Sequence, residues 1–318
     1  MAFTLVDDTA LPYLSRSAEQ IGRPPAGFRA PVQARLGIVT LQVADVARSL
    51  AFYQGVIGFR PLPAPAAAPA GHAFLGVPGL EQPLLVLAEK PGVRPVPPRG
   101  RLGIYHHAVL LPSQADVGRL LRHARALGIH VGASDHVYSE ALYLVDPDGI
   151  TVEVYHDRPQ SDWLVSPAGE ILSATLPLQE QPVLAAAGSA AWSGLPAGTT
   201  IGHIHLYVGD LQSAQSFYGE GLGLTQTLWS LPTARFLAAG GYHHHVGVNT
   251  WAAGVPAATP DDARLLTWEW VLPDQASLAA TADSLVQQNV AVTPADNGSL
   301  LATDAWGITV RLLADRRA

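Results

Sequence analysis

Cysteine is absent from the 318 residues. That excludes disulfides, thiolate nucleophiles and Cys-ligated zinc or iron–sulfur sites. Charge is sparse as well: Asp, Glu, Lys and Arg make up 14% of the chain and the net charge is −7. The few Lys and Arg are scattered, which leaves no basic footprint for nucleic acid and no cationic patch for a membrane surface. Long apolar runs are missing too. A membrane span needs about 18 or more apolar residues, and the best stretch, 171–192, is interrupted by Pro177, Glu180 and Pro182. The first eight residues lack the basic start and apolar run of a signal peptide. The expectation is a cytoplasmic protein, a reduced setting being compatible with a chain that has no cysteine.

What is present is core material. Apolar residues reach 48%, and 318 residues exceed what one hydrophobic core usually covers, so two domains are expected. With thiolate excluded, metal ligands can come only from His, Asp and Glu, and the twelve histidines become the first place to look.

The chain repeats itself. Residues 39–59 read VTLQVADVARSLAFYQGVIGF, and residues 204–224 read IHLYVGDLQSAQSFYGEGLGL. Leu41/Leu206, Val43/Val208, Asp45/Asp210, Phe52/Phe217, Tyr53/Tyr218 and Gly58/Gly223 coincide at one offset. In each, alternating apolar residues predict a strand, the Asp an N-cap, the following stretch an amphipathic helix, and the Gly a left-handed end. A weaker pair opens with Leu111-Pro112-Ser113 and Leu272-Pro273-Asp274. It ends in the turns Asp146-Pro147-Asp148-Gly149 and Asp304-Ala305-Trp306-Gly307. Four similar units result: 35–90, 103–157, 200–252 and 264–313. Residues 1–34 form an N-terminal extension without clear periodicity. The segment 35–157 is a first domain, 158–199 a proline-containing linker, and 200–318 a second domain.

The strand–Asp–helix–Phe-Tyr–Gly signature, and the Asp-Pro-Asp-Gly turn leading to a strand with Glu153, resemble the vicinal-oxygen-chelate superfamily. That group contains glyoxalases, bleomycin-resistance proteins, fosfomycin-resistance enzymes and extradiol ring-cleaving dioxygenases. The resemblance implies an α+β fold: four βαβββ modules, paired into two cupped, eight-stranded mixed sheets. It also implies inward-facing metal ligands on the first and last strand of each module. The first-strand position lies seven residues before the helix cap, which gives His106 from Ser113 and His203 from Asp210, but Ile38 and Thr267 in the outer modules. The last-strand position, four after the turn glycine, gives Glu153, and in the fourth module Arg311. His106, Glu153 and His203 are the expected ligand set, one that suits Fe(II) first and Mn(II) as the alternative. His107 is the neighbouring rival, and His205 a substrate-facing or replacement candidate. The three ligands come from the second and third modules. Those two must therefore pair with each other, or a second copy in a homo-oligomer must complete the site.

Extradiol dioxygenases, which the chain resembles most, imply more residues. Tyr143, ten before Glu153, would hydrogen-bond the substrate oxygen. His136 would add polarity nearby, with Asp135 orienting it. The run His243-His244-His245 would supply an acid–base group, His245 being the choice and His243 the second. Trp192 and Trp251 are candidates for pocket walls. The function expected is cleavage of a catechol- or hydroquinone-like ring with O2 as the other substrate. A glyoxalase-like lyase or isomerase and a metal-free, bleomycin-resistance-type binding protein remain alternatives. Taken singly, each of these histidines is more often a hydrogen-bonded structural residue than a ligand.

Overall fold

The structure, a computed structural model, describes residues 16–315. The first part of the N-terminal extension, residues 1–15, lies outside the described residues. The first module holds β1 (Arg35–Val43), α1 (Val46–Phe52), β2 (Arg60–Leu62), β3 (His72–Gly76) and β4 (Leu85–Glu89). The second holds β5 (Gly103–Leu110), α2 (Gln114–Ala126), β6 (Gly132–Asp135), β7 (Ser139–Val145) and β8 (Thr151–Asp157). Between the halves lie β9 (Leu176–Pro177) and α3 (Glu180–Ala186). The third module holds β10 (Thr200–Tyr207), α4 (Leu211–Ala214), β11 (Thr225–Leu228), β12 (Ala234–Ala238) and β13 (Val246–Asn249). The fourth holds β14 (Arg264–Leu272), α5 (Gln275–Gln287), β15 (Val292–Pro294), β16 (Leu300–Thr303) and β17 (Thr309–Ala314). These are the four expected βαβββ modules.

Each helix begins where the sequence places a cap. Asp45, Ser113, Asp210 and Asp274 have extended backbones, and their side chains accept from backbone N–H groups of the first turn. The turns are built alike. Asp146 Oδ1 accepts from the N–H groups of Asp148 and Ile150, and Asp304 Oδ1 from those of Trp306 and Ile308. Gly149 has φ 84°, and a Cβ there would stand 2.3 Å from the Val96 carbonyl oxygen, so the turn requires glycine.

The sheets do not follow the two sequence halves. One has the order β15-β16-β17-β14-β1-β4-β3-β2 and joins modules one and four. The other has the order β11-β12-β13-β10-β5-β8-β7-β6-β9 and joins modules two and three. Antiparallel seams β1/β14 and β5/β10 close the two cups. The segment 158–199 is therefore more than a linker. Its β9 adds a ninth strand beside β6, and Val183 on α3 lies so close to α2 that a Cβ on Gly118 would meet its carbonyl oxygen at 2.2 Å. The N-terminal extension is likewise packed down in part, with Ile21 buried among Tyr138, Trp163 and Ile171.

Side chains lock modules one and two together across the sheets. The Tyr53 hydroxyl donates to Asp146 Oδ2 at 3.0 Å, and Arg48 pairs with the buried Asp148 at 2.5 Å. Tyr218 and Asp304 repeat the first contact between modules three and four at 2.9 Å. Each module is thus tied to one partner by a sheet seam and to another by its helix.

Residues 35–157 alone would leave the β1 and β5 seam edges unpaired. Expressed by itself, this half is expected to aggregate or to lack a cooperative thermal transition. Co-expressed with 158–318, it should copurify as a folded pair. A monomeric half with a sharp melting curve would contradict this topology.

Candidate metal centre

Two registers place the site. Across the β5/β10 seam His205 faces His106, and His203 faces Ala108. Across the parallel β5/β8 pair Ala108 faces Glu153, and across β8/β7 Glu153 faces Tyr143. His203, Ala108, Glu153 and Tyr143 therefore form one row across the sheet. His106 stands two residues from Ala108 on the same strand, and so on the same face. The small Ala108 leaves a gap in the row between an imidazole and a carboxylate.

The three predicted ligands converge above that gap. Glu153 Oε2 lies 2.9 Å from His106 Nε2 and 3.1 Å from His203 Nε2. One ligand atom from each residue lies within 4.8 Å of the others. Ligand atoms about 2.1 Å from an ion and at right angles to one another would be about 3 Å apart, so this spacing fits a first-row divalent cation. All three side chains are buried, Glu153 at 3% exposure.

The charges call for the same partner. Burial pushes the Glu153 carboxyl up, but the His203 and His106 imidazoles outweigh it and hold it well below the usual carboxylate range. Burial lowers His203 to about 4, the attraction of Glu153 offsetting only part of that. A carboxylate buried with only imidazoles around it is an expensive arrangement unless a cation joins it. Nδ1 of the buried His106 has no hydrogen-bond partner, and its Nε2 meets only the Glu153 carboxylate. The donor set and its spacing fit a metal ion.

The neighbours sort by face. His107 turns to the opposite side, fully buried, its ring 6.0 Å from that of Tyr53, and burial lowers it to about 3. His205 shares the ligand face, its ring 5.0 Å from His106. Asn249 Oδ1 accepts from the Trp251 N–H, which turns the amide nitrogen to His205 Nε2 at 3.0 Å. That nitrogen is therefore an acceptor already in use. Trp251 lies 5.7 Å from both His205 and Tyr105 and does wall this side. Trp192 is elsewhere, against Gly58.

Tyr143 stands half-buried beside His106, with 5.7 Å between rings, and desolvation together with Glu153 raises its phenol well above the ordinary value. His136 reaches it from the β6–β7 loop. Its Nδ1 lies 2.7 Å from the Ala174 carbonyl and its Nε2 2.7 Å from the Tyr143 oxygen. A carbonyl only accepts, so Nδ1 carries a proton. In a neutral His136 the Nε2 is then the acceptor, and Tyr143 donates to it. Tyr143 thus links His136 to the ligand Glu153, whose carboxylate is also within its hydrogen-bond reach. Asp135 orients no ligand; it is gripped by Arg158.

The histidine run departs from expectation. Residues 240–245 form a turn, with Gly240 and Gly241 at φ 64° and 72°, and β13 begins only at Val246. Strand alternation therefore does not govern them. His245, the sequence choice, faces away: its ring packs against Trp270 of the other sheet at 5.3 Å, and it borders a cavity of about 1270 Å³ shared with Glu269 and Arg311. His244 points to the site instead, 4.1 Å from the His203 ring and stacked on Phe236 at 4.3 Å. His243 stands behind it. Its Nε2 is 2.9 Å from Asp157 Oδ1, and its Nδ1 is 2.7 Å from His244 Nδ1. No signal in the sequence singled out His244 or Ala108, because the first depends on a turn and the second on being small.

The Glyoxalase/Bleomycin resistance protein/Dioxygenase superfamily profile matches residues 35–154. A catechol-2,3-dioxygenase of Bacillus subtilis (strain 168) is 37% identical over 264 residues, 82% of this chain and 91% of that one. Among solved structures, one from Bacillus subtilis subsp. subtilis str. 168, put forward as a dioxygenase, superposes with a TM-score of 0.62. It has 14% identity and covers 91% of this chain and 87% of that one. Glyoxalase I from Zea mays gives 0.53 at 18% identity, covering 88% and 92%. At these identities the two structures speak for the fold alone.

Glu153→Ala should lower bound metal about 10-fold or more in elemental analysis after purification. Ala108→Leu, which fills the gap in the row, should do the same while the protein stays folded. His107→Ala should keep metal stoichiometry and cost about 2–3 kcal/mol of stability in denaturant titration. Loss of metal in His107→Ala alone would mean that the wrong face of β5 has been chosen.

Proposed function

We propose that this chain, which belongs to the glyoxalase/bleomycin resistance protein/dioxygenase superfamily, is an extradiol dioxygenase that opens a catechol- or hydroquinone-like ring with O2. The observation that carries the reading is the buried convergence of His106, Glu153 and His203, in a chain 37% identical to a protein named catechol-2,3-dioxygenase. Two imidazoles and one carboxylate are the donor set of non-haem iron(II) oxygenases, so Fe(II) is the favoured ion and Mn(II) the alternative. When bound, such an ion supplies Lewis acidity and open coordination positions.

The rest of the chemistry falls to side chains. A substrate hydroxyl has to lose its proton. Tyr143 offers an acceptor oxygen, and its own proton is already directed at His136 Nε2. A proton arriving at Tyr143 can therefore leave toward His136 without the phenol becoming charged. On the other side of the ligands, the Asp157 carboxylate accepts from His243 Nε2–H, so His243 Nδ1 accepts from His244 Nδ1–H. His244 is left with a lone pair on Nε2, which has no hydrogen-bond partner among the described residues. Burial lowers the His244 pKa well below its ordinary value, keeping it neutral and able to take a proton. His244 thus replaces His245 as the acid–base group.

Iron(II)-loaded protein mixed with catechols under air should consume O2 and form a yellow ring-fission product. Tyr143→Phe and His244→Ala should each lower kcat about 10²-fold or more, while His245→Ala should stay within about 3-fold of the parent. Fully metallated protein that takes up no O2 with a broad panel of catechols and hydroquinones would sink the proposal.

A further inference from the structure

The β6–β7 loop contains a backbone conformation that needs a cause. Val137 has φ 76°, the left-handed region, where a β-branched residue is strained. Its neighbours on both sides belong to the site: His136 meets Tyr143, and the Tyr138 ring stacks on His243 at 4.4 Å. The strained residue therefore aims two site-facing side chains.

What holds it is a clamp built on Arg158, one residue beyond β8. Asp135 Oδ1 accepts from the Val137 N–H at 2.8 Å. The Arg158 guanidinium grips Asp135 with two bonds, 2.7 Å to Oδ1 and 2.8 Å to Oδ2, and also donates to the Val137 carbonyl at 2.7 Å. Both polar groups of the Val137 backbone are thus tied to one ion pair. The guanidinium is fixed in turn by Glu140 at 3.1 Å, and Glu140 is held by His156 at 2.6 Å and Gln114 at 2.8 Å. None of these side chains contacts His106, Glu153 or His203.

We propose that Arg158 is a positioning residue: its fork on Asp135 and on the Val137 carbonyl maintains the left-handed turn that sets His136 Nε2 against Tyr143. The proposal rests on the reading of Tyr143 as facing substrate, but its structural half stands apart from catalysis. A planar fork is required, since three acceptors in fixed directions are met at once, and a lysine ammonium cannot match them.

The test uses the metal-free, full-length protein and imidazole 15N NMR. In the parent, His136 should show the Nδ1–H tautomer. Arg158→Met should lose that signature, and so should Arg158→Lys, which keeps the charge and covers the case in which the Met variant does not fold. Glycine takes a positive φ without strain, so Val137→Gly placed in either Arg158 variant should restore the tautomer. In the metal-loaded protein, kcat should fall about 10-fold in the Arg158 variants with metal content unchanged, and return to within about 3-fold in the double variants that also carry Val137→Gly. An unchanged His136 spectrum in a folded Arg158 variant would overturn the clamp, as would a double variant no better than its single parent. A parent with no ring-cleaving activity would overturn the catalytic reading while leaving the spectrum to decide the clamp.

Discussion

The antiparallel seam between β5 and β10 is the interaction on which the site depends. It joins a strand from each half of the chain, and its register sets His205 opposite His106 and His203 opposite Ala108. A slip of β10 by one residue along β5 would turn His203 and His205 to the helix-covered face. The hydrogen-bond ladder therefore does what no loop could: it holds an imidazole from one module against a carboxylate from another. Register shifts flank His203–His205 in this seam, and between them the three residues pair in regular register with Ala108, His107 and His106.

Around that seam, the polar groups are costly by themselves and make sense together. A carboxylate buried among imidazoles needs a cation. The Nε2 atoms of His106 and His203 converge on the same carboxylate oxygen and would share the ion with it. On the periphery each of three histidines has a polar partner: the Ala174 carbonyl for His136, the Asn249 amide N–H for His205 and the Asp157 carboxylate for His243. The segment 158–199 contributes the Ala174 carbonyl and a ninth strand, so this connection between the halves also builds the site.

The duplicated modules have kept their scaffold and parted in their chemistry. Helix caps, Asp-anchored turns and the Tyr53–Asp146 and Tyr218–Asp304 bonds recur. In the second cup, Ile38, Thr267 and Arg311 occupy the ligand positions, and Glu269 accepts from the Ile38 N–H at 3.0 Å. An arginine where the other cup has Glu153 is incompatible with the same cation site. The scaffold contacts bury large side chains and cannot drift without loss of the fold; ligand positions can, once one cup suffices.

By itself the amino-acid sequence determined whatever depends on local spacing. Apolar alternation, capping Asp and Ser, and turn glycines lie within a few residues of what they control, so the four modules and their helix starts were legible. The choice of His106 over His107 came from the ligand spacing that the family resemblance implies, alternation adding only that one of the two can face the cup. Only the tertiary structure decided the rest. The ligand positions required modules two and three to meet, within one chain or between two copies; that they meet within the chain, through a ladder between residues as far apart as Gly103 and Tyr207, is encoded in no local pattern. His244 rather than His245 turns toward His203, because two left-handed glycines break the strand before the histidine run. Tyr143 meets His136, whose Nδ1 is held by the Ala174 carbonyl from beyond the second module. These are long-range contacts, set by which surfaces pack, and sequence spacing carries no record of them.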